Sequence, residues 1–419
     1  MLRRVFLPRP ISVWFSILTF MLAAKSHSQE AIRMSLASEQ AAAAEKATND
    51  IGYYNAQAGP VRMALQEEMG VELNDDANYS KTNPDADVIL HPALNVRAGW
   101  RATEQNALSL AAGLGYAEYL HDHALSGLRI ASDSGVGCNI YSGDFVFNLH
   151  DRFSAVEYQI QDPAVSASVI RLENTAGLET TWDLYKLILT AAYDYDMFDS
   201  LTKFYQYSDS GSHLFEVTTA MTLSPASKLG LQTGAGLTAY GEHVLENDTH
   251  YSIGPFYKTR LTRHLSAEVS AGVASYQFDH DATTRLGDFT GLYGQARLVH
   301  ELNQAYSQSI SLGRAVQRGI TADLSELYSV NYAGWWHFLP KGYLGFRFSY
   351  GQGSTAGAAE SVGFLPEKYH IVGPGLSLSW RFSRQLAATA SYDYLRKNSD
   401  EILYAFAQNR LLLDATYAF

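Results

Sequence analysis

LYAFAQNRLLLDATYAF, residues 403–419, ends the chain and reads with a period of two. Its odd positions are Leu403, Ala405, Ala407, Asn409, Leu411, Leu413, Ala415, Tyr417 and Phe419. Its even positions include Gln408, Arg410, Asp414 and Thr416. Successive side chains of a β-strand point to opposite faces, so this segment has one apolar face ending in aromatics and one polar face. A single strand of a soluble sheet can look the same. Recurrence decides between the two.

The pattern recurs along most of the chain. Leu386, Ala388, Ala390, Tyr392 and Tyr394 oppose Thr389, Ser391 and Asp393. Leu376, Leu378, Trp380 and Phe382 oppose Ser377, Ser379 and Arg381. Leu344, Phe346, Phe348 and Tyr350 oppose Arg347 and Ser349, and Phe215, Val217, Met221 and Leu223 oppose Glu216, Thr218 and Thr222. Near the front, Val61, Met63, Leu65, Met69, Val71 and Leu73 oppose Arg62, Gln66, Glu68 and Glu72. Strands are expected near 59–74, 87–102, 106–119, 127–142, 145–160, 165–182, 187–198, 211–223, 228–241, 249–262, 264–279, 287–301, 305–318, 324–339, 342–353, 366–383, 386–397 and 402–419. That makes about eighteen, with sixteen as the alternative count. No helical periodicity interrupts them, which excludes a parallel α/β fold. The fold class is all-β: a transmembrane antiparallel up-and-down β-barrel.

Composition agrees. Of 419 residues, 47% are hydrophobic, 12% aromatic and only 18% charged, and mean hydropathy is -0.14. A disordered chain lacks such aromatics, and a polytopic helical membrane protein is more apolar. A net charge of -12 excludes a surface built to neutralise phosphates, so no nucleic-acid partner is expected. The lone Cys138 excludes an intramolecular disulfide framework and multi-cysteine metal sites.

The first 28 residues form a targeting segment: Arg3, Arg4 and Arg9 precede an apolar core from Ile11 to Ala24, with small residues up to Ser28. The core is shorter than the roughly 20 residues of a spanning helix, so a cleaved signal peptide is expected at 1–28. Residues 29–58 are expected as a periplasmic leader, a short helix or a plug, and 59–419 as the barrel.

Connections alternate in length. Short turns are expected at 103–105, 143–144, 183–186, 224–227, 263, 302–304, 340–341 and 384–385; longer loops at 75–86, 120–126, 199–210, 242–248, 280–286, 319–323, 354–365 and 398–401. Outer-membrane barrels have short periplasmic turns and longer external loops, which places both termini in the periplasm. The long loops are acid-rich, with Asp75, Asp76, Asp122, Asp199, Asp209, Glu242, Asp281 and Glu360 among their residues, and suit divalent-cation bridges to lipopolysaccharide. Aromatics such as Trp100, Tyr116, Tyr119, Tyr193, Tyr240, Tyr257, Trp336, Trp380 and Tyr417 cluster toward strand ends, as interfacial girdles do.

The signal segment, the serial alternating strands and the terminal LLLDATYAF resemble a Gram-negative outer-membrane β-barrel. Within that group the chain resembles the poorly characterised β-barrel porins, through NVRAGWRATEQNA (95–107), GDFVFNLHDRF (143–153) and ENTAGLETTWDL (173–184). The resemblance implies that Leu411, Leu413, Tyr417 and Phe419 form the assembly signal, a terminal aromatic preceded by alternating hydrophobics, read by the barrel-assembly machinery. Outer-membrane lipid and lipopolysaccharide are the other partners expected.

The polar row expected to line the pore is Asn95, Arg97, Arg101, Glu216, Lys258, Arg260, Glu268, Arg347, Arg410 and Asp414. Opposed acids and bases there would set a transverse field that orients polar solutes. No loop looks long enough to fold in and constrict the lumen alone, leaving side chains, several loops together or the leader to narrow it. Glu67 and Asp151 sit on the face read as lipid-facing and suggest bulges or a register shift. His121-Asp122-His123 lacks a third metal ligand, His150-Asp151 lacks a nucleophile elbow, and Ser200-Leu201-Thr202-Lys203 matches S-x-x-K by spacing only. No enzyme and no cofactor is expected. The expected function is passive diffusion of small hydrophilic solutes or ions; the alternative is a non-conducting surface barrel or an accessory of exopolysaccharide export.

Overall fold

The computed structural model describes residues 54–103, 106–157, 164–280 and 286–419. The expected signal peptide and most of the leader lie outside them. Among the described residues, eighteen strands form one closed antiparallel barrel. They are β1 Val61–Asn74, β2 Asp87–Arg101, β3 Ala107–Tyr119, β4 in two pieces (Gly127–Ile130 and Gly135–Ser142), β5 Phe145–Glu157 and β6 Ile170–Leu184. There follow β7 Leu187–Ser200, β8 Ser210–Ser224, β9 Ser227–Tyr240, β10 Asp248–Arg260, β11 Leu265–Phe278 and β12 Phe289–Asn303. The last six are β13 Tyr306–Gln317, β14 Ala322–Leu339, β15 Gly342–Ala358, β16 Lys368–Arg381, β17 Leu386–Ser399 and β18 Phe406–Ala418. A short strand at Ala56–Ala58 folds back on the start of β1.

Each strand pairs with its sequence neighbours, and β18 returns to β1 with register from Gln66–Ala418 to Asn74–Arg410. Closure leaves no unpaired edge, which is what lets a sheet cross hydrocarbon. The outward positions carry the apolar residues: Leu94, Leu114, Leu149, Leu178, Val217, Leu231, Ile253, Val273, Leu292, Leu312, Phe348, Leu376 and Leu413 are all exposed. In water so broad an apolar surface would drive aggregation; in a bilayer it is the solvated face.

The sequence reading departs from the structure at four places. First, β15 runs on to Ala358, five residues into the expected loop 354–365. Second, β4 is interrupted at 131–134, where the chain swings inward; the Ala131 N–H donates to the Gly113 carbonyl (2.8 Å) and the Gly113 N–H to Ser134 Oγ (3.0 Å). Gly113 is required there, since a Cβ would lie 2.5 Å from Ala131 Cβ and from Asn95 Oδ1. Third, β18 starts at Phe406, because Ile402–Tyr404 is a 3-10 turn. Fourth, β6 starts at Ile170, and residues 164–169 are loop. Val165, Ala167 and Val169 alternate with Ser166 and Ser168, so the segment imitates a strand, but the face it buries belongs to a loop cluster.

That cluster roofs the long-loop end of the barrel. Val165, Val169, Tyr205, Tyr207, Leu245, Ile320 and Ala359, from five different loops, pack together with Phe364 against their edge. Burial pushes the Tyr205 phenol up to about 12 and raises that of Tyr207 further. Of the ways to narrow the mouth that the sequence left open, the described residues show several loops meeting together. Tyr119 and Tyr240, expected in the girdle, instead face inward, Tyr240 against this cluster and Tyr119 in a separate one with Ala77, Ile89 and Ala117.

A wall closed by hydrogen bonds all round resists detergent. The protein is expected to migrate faster on a gel before boiling than after; identical mobility would count against a stable barrel.

Candidate functional site

The site is the barrel interior. Because side chains alternate, every second residue of each strand faces it, and the outward apolar residues fix which ones. All ten residues of the expected polar row lie on the face opposite the apolar belt.

Most of them are locked in pairs. Asn95 Nδ2 donates to Glu68 Oε2 (3.2 Å), and Arg97 meets Asp133, from the inward swing of β4, at 2.9 Å. Glu216 Oε1 accepts from Thr218 Oγ1 (2.9 Å) and Gln232 Nε2 (3.0 Å). Lys258 and Glu268 pair at 2.9 Å across β10 and β11. Arg347 Nε donates to Asp393 Oδ1 (2.9 Å) across β16, where Gly375 leaves room: a Cβ there would strike both side chains. Arg410 Nε lies 3.1 Å from Glu72 Oε1, and Asp414 Oδ1 accepts from Thr416 Oγ1 (3.1 Å). Arg101 and Arg260 stand exposed at the short-turn end and join no such pair in the wall.

Several interior pairings were not expected from the sequence, where His150 figures only beside Asp151, without a nucleophile elbow. His150 Nε2 lies 2.8 Å from Asp194 Oδ1, both nearly buried. His250 Nδ1 lies 2.6 Å from Asp248 Oδ1, and Arg318, reaching in from the β13–β14 loop, approaches Asp248 Oδ2 at 3.6 Å and donates to Ser212 Oγ at 3.1 Å. Parity alone would have found Asp194 and Asp196, since they alternate with outward Tyr193 and Tyr195. Arg318 was misplaced instead: the expected strand 305–318 put it in phase with the outward Ile310 and Leu312, but the strand ends at Gln317 and the loop carries the side chain inward.

The interior is asymmetric. Glu179, Asp194, Asp196 and Glu216 crowd β6 to β8, with Arg152 on β5 as their nearby base. Across the barrel, β13 to β16 present short polar side chains: Ser307, Ser309, Ser311, Ser329, Ser349, Ser377 and Ser379.

On the outer face, Glu67 and Asp151 keep the lipid-facing positions the alternation assigned, so no register shift accounts for them. Asp151 Oδ1 accepts from Asn174 Nδ2 (2.6 Å), another outward residue. Outward aromatics are capped by histidines near the loop end: Tyr193 Oη sits 2.9 Å from His213 Nδ1 and Tyr350 Oη 3.2 Å from His370 Nδ1. His121 and His123 are exposed loop residues beside Asp85 and Glu118.

No family model and no curated protein matches the chain. Among solved structures it is similar to OccK2 (OpdF) of Pseudomonas aeruginosa in complex with glucuronate, with 10% identity over 86% of this chain and 98% of that one and a TM-score of 0.50. It is also similar to OccAB3 of Acinetobacter baumannii, with 12% identity over 86% and 100% and a TM-score of 0.49. The shared feature is the fold, a closed antiparallel barrel of eighteen strands. At such low identity the likeness carries the architecture and no individual residue.

Proposed function

We propose that the protein is a bacterial outer-membrane channel for passive diffusion of small hydrophilic solutes, with its long loops outside the cell and both termini in the periplasm. The observation that supports this best is the division of the wall: apolar residues cover its outside, and paired acids and bases line its inside. Barrels of 16 to 18 strands leave an aqueous lumen. A wall whose charges are mostly paired, with a crowd of carboxylates on β6 to β8, presents oriented dipoles and hydroxyls to a solute on one side and a negative face on the other. The roof of loops restricts passage to small molecules. OccK2, seen with glucuronate, holds a solute of this size class.

The apolar core of that roof also favours a second reading, a barrel that does not conduct. Purified protein in planar bilayers separates the two. Discrete conductance steps are expected; their absence at any applied voltage would sink the channel reading.

A further inference from the structure

Lys397 has no solvent exposure, and its side chain lies inside the roofed mouth at the end of β17. A lysine is almost never fully buried unless its charge is matched. Its ammonium has three protons, and three acceptors meet it: Glu367 Oε1 at 2.8 Å, the Ala164 carbonyl at 2.9 Å and Ser166 Oγ at 3.0 Å. The rings of Tyr369 and Tyr404 stand 4.7 and 6.0 Å from Nζ. The acceptors are organised in turn. Ser399 Oγ donates to Glu367 Oε2 (2.7 Å), and Ser166 Oγ donates to the Tyr404 carbonyl (2.7 Å).

Two of the three acceptors belong to the segment after β5, on a distant part of the barrel, more than 200 residues away in sequence. The ammonium therefore ties residues 164–169 to β17 across the mouth. The alternation of that segment gives the reason it works: Ser166 faces the lysine, while Val165 and Val169, both fully buried, face the apolar roof. The apolar face alone would hold the segment near the roof without fixing its position; two charge-assisted hydrogen bonds from an ammonium itself held by Glu367 fix it.

We propose that Lys397 is a positioning residue of the channel mouth, which pins residues 164–169 over the lumen and so sets its width at the long-loop end. The effect on flow rests on the channel reading above; the pinning itself does not.

The test uses the full-length protein with Cys138→Ala, carrying Val165→Cys as a reporter. Val165 is fully buried, so a membrane-impermeant maleimide should not reach the reporter while the lysine is in place. Lys397→Met removes all three donors but leaves the buried Glu367 carboxylate without the lysine's countercharge. Lys397→Met with Glu367→Gln removes both charges, which a buried pair tolerates far better, and still leaves Ala164 and Ser166 without their donor. In both variants the reporter is expected to go from unlabelled to readily labelled, and the conductance step to rise, with heat-modifiable mobility unchanged. The proposal is overturned if the reporter stays unlabelled in variants that keep that mobility, or is labelled equally with Lys397 present. It is overturned in part of its substance if the reporter becomes labelled while the conductance step stays the same, since the segment then does not set the width. Labelling gained in a protein that never conducts keeps the pinning and removes the channel reading instead.

Discussion

Arginine at position 376 is expected to destabilise the barrel by about 2–4 kcal/mol, and arginine at position 377 by about 0.5 kcal/mol or less. The two positions are neighbours on β16 and differ only in the face they occupy. Leu376 is 52% exposed on the outside, between Phe346 and Tyr392, near the middle of the apolar belt. A guanidinium there must leave water for hydrocarbon or drag water with it. Ser377 points inward beside Gly345 and Ser391, with the Trp335 ring lying over Gly345, and a long charged side chain there can stretch past the ring into the aqueous lumen. Reversible urea unfolding of Leu376→Arg and Ser377→Arg in lipid vesicles measures both. Equal losses would mean that the two faces see the same solvent, and the membrane-spanning assignment would fall.

The same contrast explains what could be read from the sequence. Lipid on one side and water on the other impose a residue-by-residue rule, and a rule applied at every position leaves a strong imprint even when each strand's share is faint. That is why β7 to β17 could be placed to within a few residues, and why the loop-to-turn parity came out right. The rule fails where the second solvent is neither lipid nor lumen. Residues 164–169 alternate because one face meets a loop core and the other meets Lys397, and periodicity cannot tell which environment lies behind it. The break in β4 did carry a local signal, Ser132-Asp133-Ser134-Gly135, which the alternation on either side outweighed; the missing side chain of Gly113 on the neighbouring strand makes room for the swing.

The interior was legible as a face but not as a set of contacts. Arg347, Arg410, Lys258 and Glu268 could be assigned to it by parity, while their partners depend on how far strands are sheared against one another. Asp393 reaches Arg347 over an intervening strand, and Asp133 reaches Arg97 from a break in β4. Neither pairing follows from spacing along the chain. Lys397 is the extreme case. It occupies a correct inward position on β17, yet its role depends on a segment more than 200 residues away that the alternation had counted as strand.

Where a pair does follow from closure, its loss should be severe. Arg410 on β18 and Glu72 on β1 face each other across the seam that joins the last strand to the first. Arg410 Nε and Nη2 lie 3.1 and 3.2 Å from Glu72 Oε1 and Oε2, and the Glu72 side chain is 5% exposed. Removing the arginine from a buried pair leaves an uncompensated carboxylate, which costs about 3–5 kcal/mol. Two partners of Glu72 would remain, His91 Nε2 at 3.3 Å and Asn74 Nδ2 at 3.2 Å, so Arg410→Met is expected near the lower end, about 3 kcal/mol. Glu72→Gln should cost less, because Asn74 and His91 can still bond the amide and Arg410, one-quarter exposed, can turn toward water. Adding Glu72→Gln to Arg410→Met should recover most of the loss, since no buried charge is then left alone, and the two changes should be strongly non-additive. Urea unfolding of the four proteins gives the coupling directly. A loss below about 1 kcal/mol for Arg410→Met, or simple additivity in the double variant, would show that the seam is held by its backbone ladder and apolar belt alone.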